Sequence, residues 1–246
     1  MPGGGEAGGR LLRPPPERLY GRRGGHKLRA RQRRLIEEVL PRLRFAVEDA
    51  ADPQAAFAPR AEKVWLEVGF GAGEHALAAI GAKGAGQGII GLIACEVFEN
   101  GVASLLSALV PEGEEESPAL PGNLRLWTAD ARALIRALPG ASVERFFLLF
   151  PDPWPKARHA KRRFLHPQFL PQIARVMARG GEMRIATDDP ALQEWTAEVL
   201  GEQSFFRVPA PAAERPEGWP ATRYEAKALA AGRRPLYWRL VRRGDS

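Results

Sequence analysis

The 246-residue sequence predicts an α/β fold: a seven-stranded, mostly parallel sheet with helices on both faces and an antiparallel end strand. Short apolar runs alternate with helical segments along most of the chain, which is typical of a parallel sheet covered on both faces. Two late apolar segments joined by a long loop predict the antiparallel end. Hydrophobic residues make up 45% of the chain, enough for one domain with its own core.

The predicted elements follow one another at short intervals. A buried strand over residues 63–68 is followed by a helix over 74–81. Four more strands are each followed by a helix. These pairs are strand 88–97 with helix 101–109, strand 123–127 with helix 131–138, strand 143–150 with helix 167–177, and strand 182–186 with helix 191–200. Strands 205–208 and 236–242 end the series. The strands are predicted from their apolar runs, of which 143–150 is the strongest.

The N-terminal segment differs in composition from the rest. Residues 1–45 are predicted to form a basic, partly disordered arm, and residues 46–246 the catalytic domain. Gly, Pro and Arg dominate residues 1–25, which leaves little to bury. Twelve basic residues lie between Arg10 and Arg44, and the apolar spacing within 27–40 indicates a basic amphipathic helix. We favour an RNA-contacting arm over a merely solvated one.

Charge and composition narrow the class of protein. The net charge of +7 and the pI of about 10.0 favour a polyanionic partner. No apolar stretch approaches the length of a membrane span, and the N-terminus lacks an apolar signal core, so we expect a cytoplasmic protein. Cys95 is the only cysteine and the four histidines show no ligand spacing, so we expect no metal. The oligomeric state is left open between monomer and homodimer.

A glycine-rich turn follows the first strand. Gly69, Gly71 and Gly73 stand at alternate positions, where they let the backbone turn sharply and approach a ligand closely. A dinucleotide site would show G-x-G-x-x-G instead. The spacing found here suits a ligand without a pyrophosphate, such as S-adenosylmethionine, whose cationic amino group would lie near Glu67.

Two more acids follow the next strands in order. Glu96 follows the second strand, where a carboxylate can accept both hydroxyls of an adenosine ribose. Asp130 follows the third strand, within reach of the adenine amino group. Each acid alone is as compatible with a surface carboxylate, but three in the correct order favour a cofactor pocket.

The loop after the fourth strand carries the strongest signal. Three prolines surround Asp152 and Trp154 and stiffen the loop at the edge where open α/β sheets place their chemistry. Five basic residues follow within eight positions, beginning at Lys156. A rigid loop with an acidic and an aromatic side chain, next to a basic cluster, is typical of a pocket that takes up an RNA base. The basic side chains would then bind the RNA phosphates outside the pocket.

These motifs resemble the bacterial tRNA (guanine-N7)-methyltransferase family. The resemblance runs from about Trp65 to Arg242 and rests on residues 66–75, 150–163, 185–188 and 222–225. It implies a Rossmann-like class I methyltransferase domain over residues 46–246 that uses S-adenosylmethionine. In the second strand, Ala94-Cys95-Glu96 departs from the family's Gly-hydrophobic-Glu, and Tyr224 replaces a common Phe.

The resemblance also implies roles for individual residues. Cofactor contacts are implied at Glu67, Glu96, Asp130 and Asp152, beside the three glycines of the turn. Substrate contacts are implied at Lys156, Asp188, Thr222, Arg223, Tyr224 and Glu225. The implied product is N7-methylguanosine at position 46, in the tRNA variable loop. Because guanine N7 carries a lone pair and no proton, we expect the catalytic residue to position the base and favour the developing cation. Asp152 is the leading candidate for this role, and Asp188 is the second.

Other interpretations keep part of this pattern. A methyltransferase acting on rRNA, protein or a small molecule would share the fold, although the basic surface disfavours a small molecule. A non-catalytic RNA-binding scaffold would have lost the pocket acids, and all four are present. A nicotinamide dehydrogenase would need a different glycine spacing.

Overall fold

A computed structural model describes residues 24–81 and 88–244 of the chain. The strands are β1 Lys63–Val68, β2 Ile90–Cys95, β3 Leu124–Trp127, β4 Val143–Leu149, β5 Met177–Thr187, β6 Phe206–Arg207 and β7 Leu236–Arg242. The helices are α1 Ala30–Arg34, α2 Leu40–Leu43, α3 Glu74–Gly81, α4 Glu99–Leu109, α5 Ala131–Ala137, α6 Leu170–Val176, α7 Pro190–Gly201 and α8 Arg223–Ala230. A π-helical segment, Leu35–Val39, joins α1 to α2, and 3-10 turns lie at Glu48–Ala51 and Ala157–Arg162.

The seven strands form one sheet in the order β3-β2-β1-β4-β5-β7-β6. The first five strands of this order run parallel to one another. Strand β7 runs antiparallel to both β5 and β6. The predicted fold class is confirmed, with the antiparallel strand placed one position in from the edge.

Helices pack on both faces because successive side chains of the buried strands point to opposite sides. In β2, Ile93 and Cys95 belong to one core cluster, whereas Leu92 and Ala94 belong to the other. Helices α5, α6 and α7 contribute to the first core, and α3 and α4 contribute to the second. The chain thus buries both faces of a sheet whose carboxyl edge is left to loops.

The described part of the predicted arm packs onto the domain. Leu35, Val39 and Leu43 are at most 1% exposed and lie in the second core. The helical run starts at Ala30, three residues later than predicted, and continues to Leu43. Residues 1–23, for which we predict disorder, lie outside the described residues.

Two elements differ from the sequence prediction. Strand β5 begins at Met177, where the sequence predicts the end of a helix, because its pairing with β4 shifts register between Val143 and Arg145. Gly181 permits this bulge, since a Cβ there would lie 2.7 Å from the carbonyl oxygen of Glu144. Helix α8 is absent from the sequence prediction and lies in the long loop before β7.

Candidate active site

A cavity of about 320 Å³ lies at the carboxyl edge of β1, β2 and β4, where open α/β sheets bind ligands. It collects five of the predicted cofactor residues from four separate loops: Gly69, Gly71, Glu96, Asp130 and Asp152. Tyr224 from α8 also lines it. The tertiary fold thus brings together residues that are more than 150 positions apart in the chain.

The glycine turn forms the floor of this cavity. Gly69, Gly71 and Gly73 all have positive φ angles, of 79°, 60° and 92°. Nothing lies within 4 Å of a Cβ built on Gly69, so a side chain there would enter the space left for a ligand. Gly71 lies against the Tyr224 ring, whose Cε2 would be 2.8 Å from an added Cβ. The three glycines therefore permit the sharp turn. Gly69 also lets a ligand approach the backbone closely, and Gly71 lets the Tyr224 ring pack against the backbone.

Glu96 is fixed from behind by backbone donors. Its Oε2 accepts from the amide of Gly71 at 2.8 Å, and its Oε1 accepts from Val97 and Phe98 at 2.8 and 2.9 Å. Burial raises the pKa of the Glu96 carboxyl, while these hydrogen bonds oppose the shift. The same bonds tie the turn after β1 to the end of β2.

Asp130 caps α5 at the next position around the cavity. Its Oδ1 accepts from the amide of Arg132 at 2.9 Å, and its Oδ2 lies 3.6 Å from the Arg132 guanidinium. The carboxylate keeps 21% of its surface exposed while it lines the cavity. Asp130 therefore has one oxygen committed to helix capping and one near a cation.

Asp152 lies on a strained loop at the mouth of the cavity. Phe150 and Trp154 have positive φ angles of 49° and 45°, which non-glycine residues seldom adopt. Arg163 clamps the loop from within by donating to the carbonyls of Pro153 and Trp154 at 3.1 and 3.2 Å. Surrounding protein raises the pKa of the Asp152 carboxyl by desolvation, although the residue still reaches solvent.

The basic run after this loop divides into distinct roles. Arg163 is only 3% exposed, so it supports the loop and does not belong to the RNA-contacting cluster that the sequence predicts. Arg162 lines the cavity with its guanidinium 4.8 Å from the Trp154 ring centre. Lys156 is exposed just before the 3-10 turn and does not line the cavity.

The predicted substrate motif starts α8. The Thr222 hydroxyl accepts from the amide of Glu225 at 3.2 Å and caps the helix. Arg223 is 55% exposed, 3.5 Å from Glu74. Glu225 is buried and accepts from the Tyr237 hydroxyl at 2.6 Å. Within this motif, Tyr224 alone lines the cavity.

Three further predicted residues lie outside the cavity lining. Glu67 is 2% exposed, and its Oε2 lies 2.9 Å from Nδ1 of the buried His75. Gly73 lies behind the turn, against Leu105. Asp188 is paired with Arg233 at 2.5 Å. Glu67 is thus not part of the cavity lining, and its contact with the cofactor, directly or through water, stays a prediction.

Some lining residues were missed by sequence reasoning. Arg132 and Phe164 line the cavity, and the Arg132 guanidinium lies 5.3 Å from the Phe164 ring centre. Helix α8 had a local signal, because Thr222 and Glu225 stand in the spacing of a helix capping box. No comparable local signal marks Phe164, whose position depends on how the loop folds back over α5.

The fold and this site define a class I methyltransferase, and the family of the chain makes S-adenosylmethionine its methyl donor. A family model described as "Putative methyltransferase" matches residues 61–237. The chain belongs to the tRNA (guanine-N(7)-)-methyltransferase family. It is 56% identical to the member from Granulibacter bethesdensis over 94% of this chain and 98% of that protein. It is 45% identical to the member from Paramagnetospirillum magneticum over 92% and 93%.

Solved structures agree on the fold. The 16S rRNA methyltransferase KamB superposes with a TM-score of 0.55 at 15% identity, covering 81% of this chain and 95% of that one. The 16S rRNA (adenine(1408)-N(1))-methyltransferase from Catenulisporales acidiphilia gives a TM-score of 0.52 at 14% identity, with coverage of 82% and 95%. At such identities the likeness concerns architecture alone.

Two kinds of feature are absent from the described residues. None of the helices in the described ranges is long and apolar enough to cross a membrane. Within residues 24–81 and 88–244, we find no group of three or more His, Cys, Asp or Glu side chains arranged to hold a metal ion.

Proposed function

We propose that this protein transfers a methyl group from S-adenosylmethionine to N7 of a guanine in tRNA and forms N7-methylguanosine. The observation that carries the proposal is the cavity at the carboxyl edge, where the glycine turn, three acids and Tyr224 meet. The names of relatives up to 56% identical support the tRNA substrate. The choice of position 46, in the variable loop, follows from the resemblance of the loop and the α8 motif.

The residues present fit the cofactor. Gly69 leaves open space in which a ligand can approach the backbone. Glu96 presents a carboxylate already oriented by three backbone amides, as binding of ribose hydroxyls requires. Asp130 and the apolar side chains of Leu148 and Phe164 line the part of the cavity suited to a purine ring. When bound, S-adenosylmethionine supplies an electrophilic sulfonium methyl group to the N7 lone pair, so no base is needed.

Asp152 is the proposed catalytic residue, and its task is electrostatic. An ionised carboxylate at the cavity mouth can hold the guanine edge and stabilise the positive charge that develops on the purine ring. The strained backbone on both sides, together with the Arg163 clamp, fixes the direction of this carboxylate before substrate binds. Such preorganisation keeps the reacting atoms in line.

The substrate enters beside Tyr224, Trp154 and Arg162. These side chains line the outer part of the cavity and offer aromatic faces and a cation to an extruded base. Lys156 and Arg223 are exposed nearby and are placed to meet phosphates. Asp188, Thr222 and Glu225 support this surface through their bonds to Arg233, the α8 backbone and Tyr237.

Since tRNA is the proposed substrate, we place the protein in the cytoplasm, acting as a monomer or homodimer. The N-terminal basic residues are proposed to add contacts to the tRNA backbone.

The decisive experiment is incubation with labelled S-adenosylmethionine and unmodified tRNA, followed by nucleoside analysis. We expect label in N7-methylguanosine. A tRNA transcript with position 46 changed from guanine serves as the control and should remain unlabelled. Label in another nucleoside, or none in tRNA, would refute the proposal.

A further inference from the structure

A second cavity, of about 460 Å³, lies on the second-core face of the sheet. Strands β1, β4 and β5 contribute Trp65, Arg145, Phe147 and Arg184, and the segment before α8 contributes Trp219. We call this space the arginine cavity. Its floor is unusual, because the face of a parallel sheet is normally covered by aliphatic side chains.

The charges around the arginine cavity do not balance. Arg145 and Arg184 line it, and no carboxylate does so among the described residues. Glu182, on β5, accepts hydrogen bonds from Arg184 and from Arg239 and lies 3.6 Å from Arg145. One carboxylate therefore serves three guanidinium groups. His75 is the other titratable group in the lining, and it faces the buried Glu67 carboxylate at 2.9 Å. Glu144 attracts Arg145 from a distance.

Two buried hydrogen-bond donors of the cluster also lack an acceptor, just as its cations lack carboxylates. Nε of Arg145 and Nε1 of Trp65 are buried and have no hydrogen-bond partner within the described residues. Both atoms can only donate, so the group missing from this cluster is an acceptor. The pKa of Arg145 is lowered first by burial and next by the nearby Arg184 cation, which an added anion would relieve.

The walls are aromatic and already ordered. The Arg145 guanidinium lies 4.3 Å from the Trp65 ring centre, and that of Arg184 lies 5.0 Å from the ring centre of Trp219. Guanidinium groups held on aromatic rings are suited to phosphate and to the flat faces of nucleotides. The cluster thus combines two guanidinium groups with buried aromatic walls that hold them in place.

Neither the N-terminal segment nor a second copy of the chain is suited to be an anionic occupant. Residues 1–23 contain five arginines and two glutamates, so their net charge is positive, like that of the cavity, and the two repel each other. A second copy of a chain with a net charge of +7 meets the same repulsion. A polyanion is the complementary partner.

The arginine cavity is also close to the active site. Trp219 precedes Tyr224, which lines the cofactor cavity, by five residues, and five extended residues span at most roughly 18 Å. A nucleic-acid strand that leaves the active site past α8 therefore meets the arginine cavity within a few nucleotides.

We propose that the arginine cavity binds the sugar–phosphate backbone of the tRNA a few nucleotides away from the target guanine. The inference rests on the proposed function. It assigns a role in holding the substrate, separate from methyl transfer itself, to Arg145 and Arg184 in the cavity lining. Arg239 does not line the cavity, and it shares this role as the neighbour that binds the same Glu182 carboxylate as Arg184.

The test compares Arg184→Gln and Arg239→Gln with the control Arg60→Gln. Arg60 is exposed, as Arg239 is, and donates to a carboxylate, Asp52, away from the cavity. We expect each cavity variant to raise the KM for tRNA about tenfold, because it removes a charge-assisted hydrogen bond. The KM for S-adenosylmethionine and kcat at saturating tRNA should be unchanged. The slope of log affinity against log salt should fall by about 0.7 to 0.9 for each phosphate that is no longer neutralised.

Further readouts separate the possible outcomes. Arg184→Lys keeps the charge and should recover most of the tRNA affinity. Arg239 is 65% exposed, so we expect Arg239→Gln to fold. If Arg184→Gln does not fold, Arg239→Gln provides the test. Wild-type KM and salt slope in the folded variants would overturn the inference, as would binding of free guanosine monophosphate at the cavity with no effect on tRNA. Absence of N7-methylguanosine in the wild-type assay would instead count against the proposed function.

Discussion

At the scale of single residues, the most consequential side chain is Asp152. Its carboxylate is placed by a strained loop and is partly desolvated, which raises the pKa of the carboxyl above that of an ordinary aspartate. If the ionised form stabilises the cation that develops on guanine, protonation must remove activity. The acid side of the pH profile should therefore fall at a higher pH than an unperturbed aspartate would give.

We expect Asp152→Asn to lower kcat by about 100-fold or more, as removal of a preorganised electrostatic group does in other enzymes. The affinity for tRNA should change little, because the groups that bind its phosphates remain. The residual activity should lose the acid limb of its pH profile. Single-turnover rates between about pH 5 and 8 would check this. Full activity in Asp152→Ala would rule out the proposed role.

Four acidic residues show which site positions a local sequence pattern can predict. Glu96, Asp130 and Asp152 line the cavity as their positions after successive strands predict. Glu67 fits the same pattern, yet it is buried beside His75, because side chains alternate between sheet faces and its position points away from the cavity. The sequence shows that side chains of a strand alternate between the two faces of the sheet. The packing of the loops determines which of these side chains reach the cavity.

At the scale of elements, the turn between β1 and α3 depends on two glycines for different reasons. Both Gly69 and Gly73 have positive φ, so either substitution strains the backbone. A Cβ on Gly73 would also lie 2.5 Å from Cδ1 of Leu105, in the second core, whereas a Cβ on Gly69 meets only the open cavity.

We expect Gly73→Ala to destabilise the fold by about 1–3 kcal/mol more than Gly69→Ala, because it adds core overpacking to the strain. Gly69→Ala should instead weaken binding of S-adenosylmethionine. Denaturant unfolding and calorimetric titration would separate the two effects. Equal unfolding midpoints with equal cofactor affinities would contradict this division.

Elements also mark where sequence patterns fail. The start of β5 is hidden in the sequence because Ala178–Gly181 forms a bulge, and a bulge breaks the alternation by which strands are recognised. Helix α8 is only eight residues long, and its apolar side chains are small or exposed, so apolar spacing gives a weak signal there. The helix is held instead by the Thr222 cap and by the Glu225–Tyr237 bond, and the second of these is a tertiary interaction.

At the scale of the whole molecule, the segment from Ala30 to Phe45 completes the domain. Leu35, Val39 and Leu43 fill the second core. The amide of Phe45 donates to the carbonyl of Leu126 at 2.9 Å, which covers the outer edge of β3. Edge coverage of this kind protects a sheet from aggregation.

Two truncations should therefore behave differently. Deletion of residues 1–23 leaves in place the interactions within residues 24–81 and 88–244, so it should lower the unfolding temperature far less than the longer deletion does. Deletion of residues 1–45 removes four side chains that are at most 1% exposed, those of Leu35, Val39, Leu43 and Phe45, and should cost about 5 kcal/mol or more of stability. Thermal unfolding would measure both. Equal stability of the two truncated proteins would show that the helical run is dispensable.

The shorter truncation also tests the basic residues of the N-terminal segment. If they contact phosphates, the salt dependence of tRNA binding should weaken in the truncated protein. An unchanged salt slope would mean that these residues contact no phosphate.

The sequence by itself determined the alternating architecture, the glycine turn, the order of the pocket acids and the family. These features are periodic or contiguous, so the chain carries them locally. Only the tertiary structure decided that Glu67 is buried, that Arg163 clamps the Asp152 loop, and that Arg145, Arg184 and Arg239 share one carboxylate across neighbouring strands. The physical reason is that burial and charge balance depend on neighbours supplied by distant segments, and no local pattern records which segments those will be.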